Sequence, residues 1–154
     1  MDSETVMERH AVRGAAQMVG LGRTLGSALA PGDVVLLEGP LGAGKTTLVQ
    51  GIAQGLGCAE PVTSPTFDLI HEYRSGRTPL IHIDPYRLQG PGDLDNIGFC
   101  DYLDLPCVLA IEWPQRLGYL TPPDPLRIFI EVRGRTRHVE IHRPAGMAHR
   151  REAP

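Results

Sequence analysis

The stretch Gly39-Pro-Leu-Gly-Ala-Gly-Lys-Thr46 directly follows the apolar run Val34-Val-Leu-Leu37 and directly precedes a helical pattern, and this arrangement leaves few folds open. The spacing G-x-x-x-x-G-K-T makes a phosphate-binding loop. Glycines let successive backbone N–H groups turn inward around phosphate oxygens, where a side chain would obstruct the approach. Gly39, Gly42 and Gly44 supply that freedom. The helix that starts near Lys45 aims its unsatisfied N–H groups and the positive end of its dipole at the same anion. Lys45 would reach the β- and γ-phosphates of a nucleotide, and Thr46 would ligate Mg2+. Lys45 is also the only lysine in the chain, and a compact ammonium suits a cradle too narrow for a planar guanidinium.

Around this loop the chain reads as alternating strands and helices. Glu8 to Val12 suit a short edge strand, and Met18, Leu21, Leu25, Ala28 and Leu29 recur at helical spacing until Pro31-Gly32-Asp33. Val34 to Leu37 lack alternation, as in a parallel strand buried on both faces. After the loop, Leu48, Val49, Ile52, Ala53 and Leu56 mark one face of a helix that Gly57 can cap. Thr66 to Tyr73 and Leu80 to Asp84, joined by Ser75-Gly76-Arg77, predict a β-hairpin, which interrupts plain βα alternation and so predicts a mixed sheet. Asp93 is expected to cap a short helix running to about Leu103, and Cys107-Val-Leu-Ala-Ile111 is a second wholly apolar strand that ends at Glu112. Leu126 to Val132 and Arg137 to His142 alternate around Gly134-Arg135 and predict a second hairpin. The fold class that follows is α/β: a single-domain P-loop NTPase-like three-layer fold with a mixed central sheet and an inserted β-hairpin. It is expected over residues 1–143, with residues 144–154, which lack an apolar period, as a disordered tail.

The length of 154 residues suits one domain and one nucleotide site. No apolar run approaches the roughly 18 residues of a membrane span, and no apolar segment follows a basic start, so a cytoplasmic protein without membrane contact is expected. The three cysteines, Cys58, Cys100 and Cys107, lack C-x-x-C spacing, which argues against a disulfide framework and a zinc site. His138 and His142 lie on a strand-like segment, where four residues span about 13 Å and one metal cannot be shared. Net charge is −3 but unevenly spread: acids dominate from Glu60 to Trp113, and arginines from Arg127 to Arg151. Solvated faces are the commoner origin of such a pattern, with partner or nucleic-acid surfaces the alternative.

A phosphate loop needs an acid at the end of a neighbouring strand to hold Mg2+, directly or through water. Asp84 and Glu112 both qualify, since each ends a strand whose carboxyl edge would face the ligand. One can be the metal carboxylate while the other orients or deprotonates water, and the residues alone do not divide those roles. Thr66 could add a hydroxyl to the γ-phosphate or the metal, or simply begin a strand. Trp113, the only tryptophan, could offer a flat face to a purine or pack in the core. Guanine recognition through N-K-x-D would need a second lysine, so ATP is favoured over GTP.

Gly42-Ala-Gly-Lys-Thr-Thr47, Ser64-Pro-Thr-Phe67, His82-Ile-Asp-Pro-Tyr-Arg-Leu88, Gly98 with Asp101-Tyr-Leu103, and Ile111-Glu-Trp-Pro114 together resemble the TsaE (YjeE) family. These are small bacterial ATPases of tRNA threonylcarbamoyladenosine biosynthesis. The resemblance runs from Gly32 to Trp113. It implies slow, partner-dependent ATP hydrolysis with TsaB and TsaD, reaching tRNA indirectly through that complex. It implies Mg2+ at Thr46 and Glu112, a catalytic or metal-linked role for Asp84, and a nucleotide contact from Trp113. The loop motif itself makes Lys45 catalytic and gives nucleotide contacts from Gly39, Gly42, Ala43, Gly44, Lys45, Thr46 and Thr47, with Thr66 as the further candidate. The resemblance also implies base contacts around Arg13 to Ala16, where the sequence carries no motif. Pro40 departs from the family pattern, and because proline lacks an N–H and fixes φ, the loop is expected to be stiffer or short of one donor. Two other readings use the same loop: a small-molecule kinase with Arg87 on a phosphate and the 90s segment as a lid, and a nucleotide-gated binding module with incidental hydrolysis.

Overall fold

A computed structural model of the chain describes residues 6–62, 69–85 and 88–150, the side chains of 148–150 excepted. Among the described residues seven strands form one mixed sheet: β1 (Val6–Arg13), β2 (Val34–Glu38), β3 (Ile70–Tyr73), β4 (Leu80–Ile83), β5 (Val108–Glu112), β6 (Leu126–Arg133) and β7 (Thr136–Arg143). Their order is β1-β7-β6-β2-β5-β4-β3. The centre is parallel, β2 pairing with β5 and β6, and β5 with β4. The wings are antiparallel, β3 on β4 at one edge and β6-β7-β1 at the other. Both predicted hairpins are therefore present.

The wholly apolar strands serve two cores at once. Val35 and Leu37 of β2 and Val108 and Ala110 of β5 face the helices α1 (Gly14–Ala28) and α2 (Lys45–Gly55), together with Leu48, Val49 and Ile52 of α2. Val34, Leu36, Leu109 and Ile111 face the opposite side, where Leu94 and Phe99 come from α3 (Pro91–Asn96) and α4 (Phe99–Leu103). Continuous apolar sequence and burial on both faces are thus one fact seen twice. At the edge, β6 alternates as a strand covered on one face does, with Leu126, Ile128 and Ile130 inward.

Two expectations are corrected. The helix expected from Asp93 to Leu103 is broken in two, because Gly98 takes a left-handed φ of +85° between α3 and α4. Asp93 is not its cap: α3 begins at Gly90-Pro91, and the Asp93 carboxylate accepts the Gln89 N–H at 3.1 Å. The tail expected from residue 144 starts as a helix, α5 (Ala145–Arg150), whose Met147 is buried in the α1–α2 core. A single apolar anchor produces no period, so the sequence pattern does not reveal it. Among the described residues no helix is long and apolar enough to cross a membrane.

Candidate functional site

The loop begins where β2 ends. A Cβ on Gly39 would lie 2.8 Å from the Ile130 carbonyl oxygen of β6, so the neighbouring strand leaves no room for a side chain there. Gly42 and Gly44 turn left-handed at φ +78° and +108°, conformations open to glycine at little cost. Pro40 stands at the start of a turn that its own carbonyl closes by accepting the Ala43 N–H at 3.1 Å. Gly44 then delivers the chain into α2 with Lys45 as its first residue.

Lys45 is 5% exposed. Its ammonium donates to the Gly39 carbonyl at 2.9 Å and lies 4.0 Å from the centroid of the Trp113 ring. Burial draws its pKa down from the ordinary 10.5, while the charges of Glu112 and Asp84 work in the other direction. Those acids come from adjacent parallel strands. Ile83 of β4 is in register with Ile111 of β5, so Asp84 and Glu112 follow at matching positions on the carboxyl edge. Glu112 is 4% exposed and accepts the Thr46 hydroxyl at 3.3 Å on Oε2. A cavity of about 240 Å³ brings together Lys45, Thr46, Thr47, Asp84, Glu112 and Trp113 along the rim of Gly42 and Gly44.

A second depression of about 430 Å³ shares Gly42, Gly44 and Thr47 with that cavity and extends away from it. Its far walls are Gly14, Ala15 and Met18 at the start of α1, Gly134 and Arg135 of the β6–β7 turn, and Arg137 at the start of β7. The region around Arg13 to Ala16 thus does meet the loop, while Trp113 lines the first cavity and not this one. The indole face lies against the Lys45 ammonium, an arrangement between the purine contact and the core packing weighed from sequence. Trp113 holds a left-handed φ of +52°, unusual for a bulky residue. Thr66 and Arg87 lie outside the described residues.

Sequence reasoning missed three contributors. His82 is fully buried on β4, with Nε2 2.7 Å from Glu112 Oε2. Its place two residues before Asp84 on a strand was the available signal, because period two puts both on one face. Arg135 and Arg137 were read as parts of the second hairpin and of the arginine-rich end of the chain, and the fold alone returns that hairpin to the loop.

The family profile described as Threonylcarbamoyl adenosine biosynthesis protein TsaE matches residues 12–140. The chain belongs to the TsaE family. A TsaE from Nostoc sp., named as a tRNA threonylcarbamoyladenosine biosynthesis protein, is 50% identical over 103 residues, covering 64% of this chain and 63% of the relative. The Bacillus subtilis TsaE, of the same name, is 42% identical over 104 residues, 68% of this chain and 65% of its own length. The matched stretch is therefore under two thirds of either relative. The crystal structure of Bacillus subtilis YdiB superposes with a TM-score of 0.79 over 97% of both chains at 26% identity. The TsaE fold accordingly extends across the wings of the sheet as well as its centre.

The oxygen donors of Thr46 and Glu112, with the Asp84 carboxylate lining the same cavity, are hard groups of the kind that suits Mg2+, which takes one or two carboxylates and completes its shell with water and substrate phosphate. The set offers neither thiolate nor imidazole to a softer metal. His82 meets the site only through the carboxylate of Glu112.

Proposed function

We propose that this TsaE is a Mg-dependent ATPase required for the threonylcarbamoyladenosine modification of tRNA, acting with TsaB and TsaD. The observation that carries the reading is the convergence on one small cavity of the buried Lys45, the Thr46–Glu112 pair and the Asp84 position, all at the carboxyl edge beside the glycine loop. The names of the relatives support the pathway, and the lining of the cavity supports the chemistry.

The backbone N–H groups from Gly44 to Thr47 would cradle the phosphates at the N-terminus of α2, the Ala43 N–H being held by the Pro40 carbonyl. The Lys45 ammonium would exchange the Gly39 carbonyl for β- and γ-phosphate oxygens, and Thr46 with Glu112 would hold the metal. Held there, Mg2+ would supply charge neutralisation at the transferring phosphoryl group. Asp84 is the acid left to orient the attacking water. The base and ribose would occupy the second depression, against Gly14 and Ala15, with Arg135 and Arg137 supplying positive charge from the hairpin turn. Burial of Lys45 helps catalysis, since an ammonium in a water-poor cradle interacts with phosphate more strongly than one in bulk water.

The test is hydrolysis by the chain reconstituted with TsaB, TsaD and tRNA. Glu112→Ala and Asp84→Ala are each expected to lower turnover by about 10²-fold or more, the scale for removing a group that stabilises developing charge or positions a reactant. Unchanged turnover in both variants would sink the reading.

A further inference from the structure

Glu112 is held by more than the phosphate loop. Its Oε2 accepts the Thr46 hydroxyl at 3.3 Å and, more closely, the His82 ring at 2.7 Å through Nε2. Both contacts fall on the same oxygen, so neither occupies Oε1. His82 is 0% exposed, and its other ring nitrogen, Nδ1, is buried without a hydrogen-bond partner among the described residues. A buried polar ring with one nitrogen unsatisfied is costly to place in a core. Here the offsetting contact is a short charge-assisted bond to a carboxylate that is itself almost fully buried. An apolar side chain in the same volume would spare Nδ1 its desolvation but leave Glu112 with the longer Thr46 bond as its side-chain hydrogen bond among the described residues.

We propose that His82 is a positioning residue for the metal carboxylate: its Nε2–H fixes Glu112 Oε2 and so leaves Oε1 as the oxygen available to the ion. The inference rests on the reading of Glu112 as a metal ligand. The backbone supports it. β4 and β5 are parallel neighbours with His82 in register with Ala110, two residues before Glu112. The ring therefore reaches along the sheet to the carboxylate as a rigid strand-borne group, whereas Thr46 belongs to the loop's helix. With Nδ1 unpartnered, the proton that Nε2 donates is the ring's one polar contact among the described residues. Outer contacts of this kind set ligand orientation, and their loss ordinarily weakens metal affinity about 10–100-fold. No step requires the ring to change its protonation.

The test compares ADP binding by calorimetry, with Mg2+ and with EDTA, for the full chain and for His82→Leu and His82→Gln, alongside thermal unfolding. Glutamine can present an amide N–H near the place of Nε2; leucine fills the volume and donates nothing. In the wild type, Mg2+ is expected to tighten ADP binding. His82→Leu should lose about tenfold or more of that gain while its affinity in EDTA stays within about twofold, and His82→Gln should recover most of the loss. Should His82→Leu fold poorly, the glutamine variant and a titration of Mn2+ into the ADP complex of each soluble variant carry the comparison. A full Mg2+ gain in His82→Leu overturns the proposal, as does a glutamine variant that melts like the wild type yet lacks the gain. A wild type that binds ADP with no Mg2+ gain overturns the metal reading of Glu112 itself, and the positioning role with it.

Discussion

Trp113 is the residue whose backbone and side chain make opposing demands. Its φ of +52° costs about 1–2 kcal/mol for a residue with a Cβ, and its indole recovers part of that by lying over the Lys45 ammonium. Trp113→Gly and Trp113→Ala lose the same ring, but only glycine adopts this φ freely. The glycine variant should be more stable than the alanine variant by about 1 kcal/mol in urea denaturation, and equal stabilities would show that the turn relaxes out of the left-handed region. The buried thiols give a pH signature. Burial pushes Cys58 and Cys107 above the ordinary 9.0. The unfolded chain therefore releases these protons at lower pH than the folded one. Their contribution to stability is complete below pH 9 and is lost as pH rises from there through the folded values. The urea midpoint should fall above about pH 9, and a Cys58→Ala, Cys107→Ala variant should fall less steeply, whatever its starting stability.

The pairing of α1 with α2 places the wall formed by Gly14, Ala15 and Met18 against the glycine loop, and glycines set the distance between the helices. A Cβ on Gly22 would lie 2.3 Å from the Leu48 carbonyl oxygen, on Gly26 2.3 Å from that of Ile52, and on Gly51 2.2 Å from that of Val19. Each helix thus presents bare backbone to the other. Gly22→Ala, Gly26→Ala and Gly51→Ala should each destabilise by about 1–3 kcal/mol through overpacking, despite alanine's advantage of about 1 kcal/mol within a helix. Gly20 lies in α1 with nothing within 4 Å of its Cβ position. Gly20→Ala should accordingly stabilise by about 0.5–1 kcal/mol. Chemical denaturation of the four variants checks the sign of each. The helical periods of α1 and α2 were legible in the sequence; these glycines were not, because glycine carries no hydrophobic signal and its role depends on what lies opposite.

For the whole molecule, one sheet divides two cores, and the proposed site belongs to only one of them. Phe99 is fully buried in the cluster on the face away from α1 and α2. Phe99→Ala should lower unfolding free energy by about 3–5 kcal/mol while the folded fraction keeps its ADP affinity, as urea denaturation and calorimetry would show. A loss of affinity equal to the loss of stability would mean the two cores are one unit. The sequence by itself determined the elements that depend on local chemistry: the loop from Gly39 to Thr46, the strands buried on both faces, both hairpins and the strand-end acids Asp84 and Glu112. Each is written in neighbours along the chain, as glycine freedom, apolar period or turn chemistry. Only the tertiary structure decided that His82 shares an oxygen of Glu112 with Thr46, that Lys45 lies over Trp113, and that Arg135 and Arg137 border the loop although about 90 residues separate them from it in the chain. Those contacts arise from strand order and register, which bring together side chains that no local pattern couples.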